Sequence, residues 1–479
     1  LPHPLQCKHI CLQGSVENAF WARKKNQTSF PVTQPHRQHP MNDYNFSADQ
    51  QRVFDRIIAA VNDLDNPIRL FVSGTAGTGK SYLIKALIDE LGYGRVSVCA
   101  PTGMAAKLVD GRTIHSLCKL AVVEEGEEKN PDDGAPAAKK SRRDIGMRLF
   151  IIDEITELLD NLEKDLSSKR KDRGPFGGFN IVAFGDLYQI PPVKAKWVFK
   201  SELWKTHFQY AELNSNHRQQ ADPEFAQMLQ RFRVGELTDL DRAFLKSRVV
   251  PNQAGDTFVA CTADAYNKTA KGQALILLRT NKVIQDVNNE ILQQKFPGHI
   301  VPVNSLHYRF NPGQENENPE PPRITEKCKI ALNSNVMITQ NIRSSGLRNG
   351  EIGQAIEIHG KDAVNRVTIL YVFAFEGGKA VNVYRMRKSG FLNKTRTLEL
   401  HLPLTPAYAL TYHKAQGQTL DEVFLNLTQR MEASLFFVGA SRVRTKEGLR
   451  ILAYSDKFDI VVDADVVAEY ERLRALPQM

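Results

Sequence analysis

The segment from Gly74 to Ser81 reads GTAGTGKS and fits G-x-x-x-x-G-K-[ST]. It lies between an apolar run, IRLFVSG (68–74), and a run with helical spacing, KSYLIKALIDEL. Such a loop holds phosphate only where a buried strand turns into a helix, so it constrains the fold more than any other stretch. Glycines 74, 77 and 79 let successive backbone N–H groups curl around an anion, and the helix N-terminus adds partial positive charge. Gly74, Thr75, Ala76, Gly77, Thr78, Gly79, Lys80 and Ser81 are therefore read as the cradle for the phosphates of ATP. Lys80 is expected to reach the β- and γ-phosphates, and the Ser81 hydroxyl to hold Mg²⁺. A glycine-rich turn, the bland alternative, leaves the lysine, the serine and both flanking elements unexplained.

Two further strand ends carry polar groups. LFIIDE (149–154) buries four apolar residues and then presents Asp153, where the metal of such a site sits, and Glu154, which can orient or deprotonate the attacking water. An acidic pair after a strand is often only a helix cap; beside a phosphate loop the site reading is stronger. AFGDLYQIPPV (183–193) offers Gln189 as a sensor of the γ-phosphate, after which Pro191 and Pro192 turn the chain out of a sheet. Strands that are apolar throughout and alternate with helices imply a parallel α/β sheet.

The chain has 479 residues, 42% hydrophobic and 24% charged, which suggests two to four globular domains. It contains no apolar run of the ~18 residues that would span a bilayer, and its first residues lack the pattern of a signal peptide. It begins with Leu1 rather than Met, so a fragment or a piece cut from a larger polyprotein is expected. Six cysteines in this length favour a reducing, intracellular setting. Cys7 and Cys11 flank His9, with His3 near, but no second pair sits close by and a zinc site is the weaker reading there. The net charge of +9 is compatible with a polyanionic partner without proving one.

Residues 1–45, rich in Pro, His, Gln and Asn, read as a tail. Order is expected from FSADQQRVFDRIIAAV, with Ser47 as N-cap and Val53, Phe54, Ile57, Ile58 and Val61 at helical spacing. A first α/β domain covers 46–212. Its stretch 124–144 is acidic, then Pro/Ala-rich, then basic, and reads as a solvated insertion. The run KKSRR within it is a nuclear import signal or, as is usual, plain surface. A second α/β domain starts at 213 and runs to 329, with a strand at DTFVACT and a helix at VIQDVNNEILQQ. Short β-rich runs joined by Gly and Asn turns predict a small antiparallel barrel over 330–402. Helix–strand alternation then returns over 403–479.

With the phosphate loop, the blocks APTGMAAKLVDGRTIHS, IIDEI, PFGGFNIVAFGDLYQIPPV, LNSNHRQ, VMITQNIRSSGLRNGEIGQAIEI, AYALTYHKAQGQTL and FFVGASRVRT follow in that order. On them the chain resembles the PIF (petite integration frequency) family of DNA helicases, a RecD-like branch of helicase superfamily one, over about 46–455. It is also similar to the helicase parts of Helitron-type transposon proteins. Thr156 and Glu157, Leu187, and Gly439 and Ala440 depart from the family's usual residues, and none of these removes a charged group.

The resemblance implies two RecA-like P-loop domains with parallel sheets and the inserted barrel. It implies an ATP- and Mg²⁺-dependent helicase, acting on single-stranded DNA and duplex junctions and moving 5′ to 3′, in the nucleus or mitochondrion and without a membrane. Gln50 would read adenine. Arg218 and Arg442 would reach the γ-phosphate, and Gln416 and Gly417 would lie near the nucleotide. Thr102, Lys107, Thr113 and His115 would face DNA from the first domain, and Thr411 and His413 from the second. The region 116–147 and the barrel would form the wedge and clamp. Two rivals stay open. One is a DNA-stimulated ATPase that remodels nucleoprotein without unwinding. The other is a non-catalytic nucleic-acid-binding subunit, against which the intact Lys80, Asp153, Glu154 and Arg442 argue. RNA as the strand also stays open.

Overall fold

A computed structural model describes residues 44–477, apart from 64, 102–104, 107–108, 118–146, 156–158, 171–172, 193–195, 252–256, 311–320, 343–344, 361–365, 372–378 and 393–394. The expected tail (to residue 43), the insertion at 124–144, most of the expected wedge, Thr102 and Lys107 lie outside the described residues. The first helix, Ala48–Asn62, begins after Ser47, whose N–H donates to Gln50 Oε1 at 3.0 Å. Val53, Ile57 and Val61 recur every four residues and are buried.

Six strands build the first sheet: β1 (Arg69–Gly74), β2 (Val96–Ala100), β3 (Arg112–Thr113), β4 (Leu149–Ile152), β5 (Asn180–Gly185) and β6 (Gln209–Leu213). Their order is β3-β2-β4-β5-β1-β6, and every pairing is parallel. The strands are apolar throughout because both faces are covered. Leu70 and Val72 pack with the helices Ala48–Asn62 and Lys80–Leu91. Phe71, between them, points into a second core with Trp204, Tyr210 and the C-terminal residues Val466, Tyr470 and Leu473.

A second parallel sheet contains β7 (Ala274–Leu278). Nine strands intervene before it resumes: β8 (Ile300–Arg309), β9 (Arg323–Ala331), β10 (Asn335–Ile338), β11 (Ile352–His359), β12 (Arg366–Tyr371), β13 (Lys379–Tyr384), β14 (Met386–Leu392), β15 (Thr395–His401) and β16 (Leu404–Pro406). Then come β17 (Ala409–Thr411), β18 (Glu422–Leu427), β19 (Met431–Glu432), β20 (Leu449–Tyr454) and β21 (Ile460–Val461). The parallel order is β17-β7-β18-β20.

The intervening strands form two antiparallel sheets, β13-β12-β11-β10-β16 and β14-β15-β8-β9, around one core that includes Val303, Ile330, Val336, Val367 and Leu402. The described pairings close neither sheet into a barrel, and they move the start of this region back from 330 to Ile300. β8 carries Pro302, Asn304, Ser305 and His307, so its composition hid it. The expected strand at DTFVACT is instead the start of a helix, Phe258–Thr269. Thr257 Oγ1 accepts from the N–H of Ala260 at 3.2 Å, and Thr262, Ala263 and Tyr266 are buried at helical spacing, the last two beyond the window that looked strand-like.

The last helix, Ala464–Arg474, follows the second sheet in sequence but packs on the first. Trp204 Nε1 donates to Glu469 Oε1 at 2.7 Å, and Arg474 pairs with Glu212 at 2.9 Å. Among the described residues no helix is long and apolar enough to cross a membrane. Cys99, Cys261 and Cys328 carry no disulfide.

Candidate active site

The phosphate loop joins β1 to the helix Lys80–Leu91. Gly77 and Gly79 have φ of +92° and +79°, a left-handed backbone in which side chains are strained. Gly77 is also crowded: a Cβ there would lie 2.6 Å from Arg218 Cβ. The loop is buttressed by the segment after β6. His217 N–H donates to Gly77 O at 2.8 Å, and Asn216 Oδ1 accepts from the N–H groups of Arg218 and Gln219 at 2.9 and 3.1 Å. Lys80 is buried and folds back, donating through Nζ to Gly74 O at 2.6 Å and Thr75 O at 3.1 Å.

Asp153 and Glu154 follow β4. Asp153 N–H is pinned to Cys99 O at 2.8 Å, and Ile155 N–H to Phe184 O at 3.0 Å. Between these anchors Glu154 is held at φ +56°, which only an over-determined turn maintains for a glutamate. Asp153 is fully buried. Burial and the adjacent Glu154 push its carboxyl well above the usual range, while Lys80 opposes them.

These groups face a cleft of about 390 Å³ to which both parallel sheets contribute. Ala76, Gly77, Gly79, Lys80, Ser81, Asp153, Glu154, Gln189 and Arg218 line it from the first unit, and His413, Gln416, Gly417 and Arg442 from the second. Gln416 Nε2 donates to Glu154 Oε2 at 2.9 Å and to Gln189 Oε1 at 3.4 Å. Arg218 Nη1 donates to Ser441 O at 3.0 Å, and Gln219 Nε2 to Val443 O at 2.9 Å. Arg442 is 1% exposed and donates to Val438 O at 2.7 Å, Gln418 O at 3.3 Å and Ser441 Oγ at 2.8 Å. No described carboxylate pairs with either arginine by hydrogen bond. Burial, and then Arg218, depress the proton affinity of Arg442. Burial also depresses that of Arg218, against the pull of Glu154.

The buried Arg442, the half-buried Arg218 and a lysine around an open cleft fit a polyphosphate, whose oxygens match the planar forks. The buried Asp153 carboxyl, next to a second acid and in the same lining as Ser81, fits a divalent cation.

Several expected residues stand elsewhere. Gln50 is buried outside the cleft lining. Its Oε1 accepts from Ser47 N–H, and its Nε2 donates to Thr78 O at 3.0 Å and lies 3.4 Å from His217 Nε2. Its amide braces the phosphate loop. Thr113 ends the edge strand β3. His115 lies in the short helix Ile114–Leu117.

The block at 411–417 divides. His413, within the helix Tyr412–Ala415, and Gln416, the residue that caps it, both line the nucleotide cleft. Thr411 and Lys414, also three apart, line a separate cavity of about 310 Å³. That cavity lies between the helix Asn281–Lys295 and the antiparallel sheets, with Lys327, Thr339 and Asn281 in its wall. Partial burial lowers the proton affinity of both Lys327 and Lys414, against the pull of Glu399 in the case of Lys327. Sequence reasoning passed over Lys414, although it lay inside a quoted block, and over Lys327, Asn216 and Asp186.

The model of a family described as PIF1-like helicase matches residues 45–243. A curated relative, the ATP-dependent DNA helicase Pif1 of Bdellovibrio bacteriovorus, is 28% identical over 457 residues, covering 91% of this chain and 94% of the relative. The human ATP-dependent DNA helicase PIF1 is 26% identical over 474 residues, covering 96% of this chain and 68% of its own. The crystal structure of Pif1 helicase from Candida albicans aligns with a TM-score of 0.66 at 24% identity, over 90% of this chain and 100% of that one. A Bacteroides Pif1 helicase in complex with ADP-AlF3 and single-stranded DNA gives 0.68 at 22% identity, over 91% and 99%. At these identities the two structures attest the fold, with its paired parallel sheets.

Proposed function

The chain belongs to the PIF1-like helicases, and from that premise we propose that it is an ATP-dependent DNA helicase that translocates 5′ to 3′ on single-stranded DNA and separates duplex at junctions. The observation that carries this reading is the bond from Gln416 to Glu154. It joins the two parallel-sheet units across a cleft lined by the phosphate loop and by arginines from both. A hydrolytic site built from two bodies can convert a change at the γ-phosphate into relative motion.

Glu154 takes the proton of the attacking water as its oxygen bonds to the γ-phosphorus and the bond to the ADP oxygen breaks. Lys80, Arg218 and Arg442 stabilise the charge that spreads over the transferred phosphoryl oxygens. Ser81 and Asp153 are the residues that would hold Mg²⁺, which supplies further charge neutralisation when bound. Gln189 and Gln416 orient Glu154. Single-stranded DNA is assigned to the side of Thr113, Thr411 and the cavity with Lys327 and Lys414, where two ammonium groups suit phosphodiesters. The antiparallel sheets from Ile300 act as the clamp, and the region 116–147 as the wedge. The unbridged thiols suit the reducing interior of a cell, with the nucleus as the compartment proposed and the mitochondrion as its alternative.

The test is ATP hydrolysis by the purified chain with and without single-stranded DNA, beside Lys80→Ala. The reading expects turnover that rises at least about tenfold with DNA and is lost in the variant while DNA binding persists. Hydrolysis by Lys80→Ala at the level of the unchanged protein would overturn it.

A further inference from the structure

We propose that the Tyr470 hydroxyl is a positioning group for ATP hydrolysis, tying the C-terminal helix to both the strand before the phosphate loop and the turn that carries Gln189. The inference rests on the ATPase reading above and concerns a residue outside the matched family region, 45–243.

Tyr470 is fully buried against the first sheet. Its hydroxyl lies 2.8 Å from Ser73 Oγ, donates to Asp186 Oδ1 at 3.1 Å, and accepts from the N–H of Leu187 at 3.1 Å. Its ring stacks on that of Tyr188, with centroids 4.7 Å apart and planes 3° from parallel. A phenol has one proton and two lone pairs. With the proton on the carboxylate, Ser73 and Leu187 fill the remaining positions, and Arg233 Nη2 stands further off at 3.3 Å. One oxygen therefore joins the end of β1, one residue before Gly74, to the 186–188 turn. That turn is closed by Gln189 N–H on Asp186 O at 2.9 Å, and Gln189 then faces Gln416 in the cleft.

The partners explain why such a hub would carry motion. Asp186 is held from a second direction by Arg233, which donates from Nε to both carboxylate oxygens at 3.1 Å and from Nη2 at 2.8 Å. Arg233 ends the helix Pro223–Arg233, whose Phe232 packs on Phe436 of the second unit at 4.9 Å. Tyr470 lies on the helix that leaves the second sheet after β21. Both levers on Asp186 thus begin in the second unit and end beside the γ-phosphate sensor. A tyrosine that only filled this core would need a single partner for its hydroxyl. Five polar groups converging on a single buried site are costly to desolvate unless every one is satisfied.

The experiment compares the full chain with Tyr470→Phe, which keeps the ring stack, and with Ser73→Ala, which removes one partner and leaves the core filled. Steady-state ATPase is measured with saturating single-stranded DNA, together with thermal melting. Turnover by the unchanged chain is measured first, and its absence would refute the ATPase reading itself rather than the role of Tyr470. The proposal expects kcat to fall about 5- to 30-fold in Tyr470→Phe, with KM for ATP within about twofold. Ser73→Ala should lose kcat in the same direction, and the double variant should lose no more than the worse single one. An unchanged kcat in either folded variant, whatever its melting temperature, or losses that simply multiply, would overturn it.

Discussion

Gln416 and Glu154 come from different sheets and meet through one hydrogen bond of 2.9 Å, and the same amide nitrogen lies 3.4 Å from Gln189 Oε1. The amide orients a carboxylate whose backbone is already held in an unusual conformation. Gln416→Ala is expected to lower DNA-stimulated kcat about tenfold. Gln416→Glu should lower it further, because a second carboxylate would then face Glu154 at contact distance. Steady-state ATPase assays check both. Equal activity of the glutamate variant and the unchanged chain would remove Gln416 from the site.

Arg442 offers a sharper chemical test. Its fork is buried and satisfied by carbonyls of its own unit and by the Ser441 hydroxyl, so among the described residues no carboxylate is hydrogen-bonded to it. Arg442→Ala is expected to reduce turnover by about 10³-fold, as for an arginine that acts mainly in the transition state. Arg442→Lys should recover little, since a point charge cannot reproduce the planar fork. Binding of a non-hydrolysable ATP analogue, followed by titration, should change little in either. A tenfold loss of that affinity with unchanged turnover would contradict the assignment.

Asp49 links the first helix to the loop that buttresses the phosphate site. Its carboxylate accepts from the N–H groups of Asn214 at 2.7 Å, Ser215 at 3.1 Å and Gln50 at 3.0 Å. Burial raises its proton affinity, but the Ser47 hydroxyl and these three N–H groups outweigh it and hold the carboxyl far below the usual range. A depressed folded pKa stabilises above the unfolded value of ~3.9 and is lost as pH falls toward the folded one. Asp49→Asn should therefore melt about 2–5 °C lower at pH 7, with the gap closing below about pH 3. A gap that stays constant across that range would show that charge plays no part.

Lys327 and Lys414 predict a salt signature. If the groove neutralises about five phosphates, log affinity for single-stranded DNA should fall with log salt at a slope near −3.5. Alanine at either lysine should shrink that slope by about 0.7. Fluorescence anisotropy at several salt concentrations measures it. Weaker binding with an unchanged slope would place both side chains off the phosphate path.

Much of this was legible in the chain because local signals were strong. The GTAGTGKS loop, the acidic end of β4 and the uniformly apolar strands each have one physical solution, and all appear where expected. Other features depend on distant packing. Gln50 sits in a motif, yet its two amide ends are taken by Ser47 and Thr78, which no local pattern reveals. His413 and Lys414 are neighbours in sequence that face different cavities, because the four-residue helix Tyr412–Ala415 separates them. The stretch DTFVACT looked like a strand since its β-branched residues were read apart from the alanines that follow. Tyr470 carried no signal, because its partners Ser73 and Asp186 lie 397 and 284 residues away.

Direction of movement is the central claim, and strand displacement under single-turnover conditions tests it most directly. Two duplexes of equal length are compared at equal loading, one with a 5′ single-stranded tail and one with a 3′ tail, with RNA-tailed counterparts beside them. The account predicts ATP-dependent separation of the 5′-tailed DNA duplex and little action on the 3′-tailed one. Separation of the 3′-tailed duplex in preference to the 5′-tailed one would contradict it, as would strong DNA-stimulated hydrolysis with no strand separated on either.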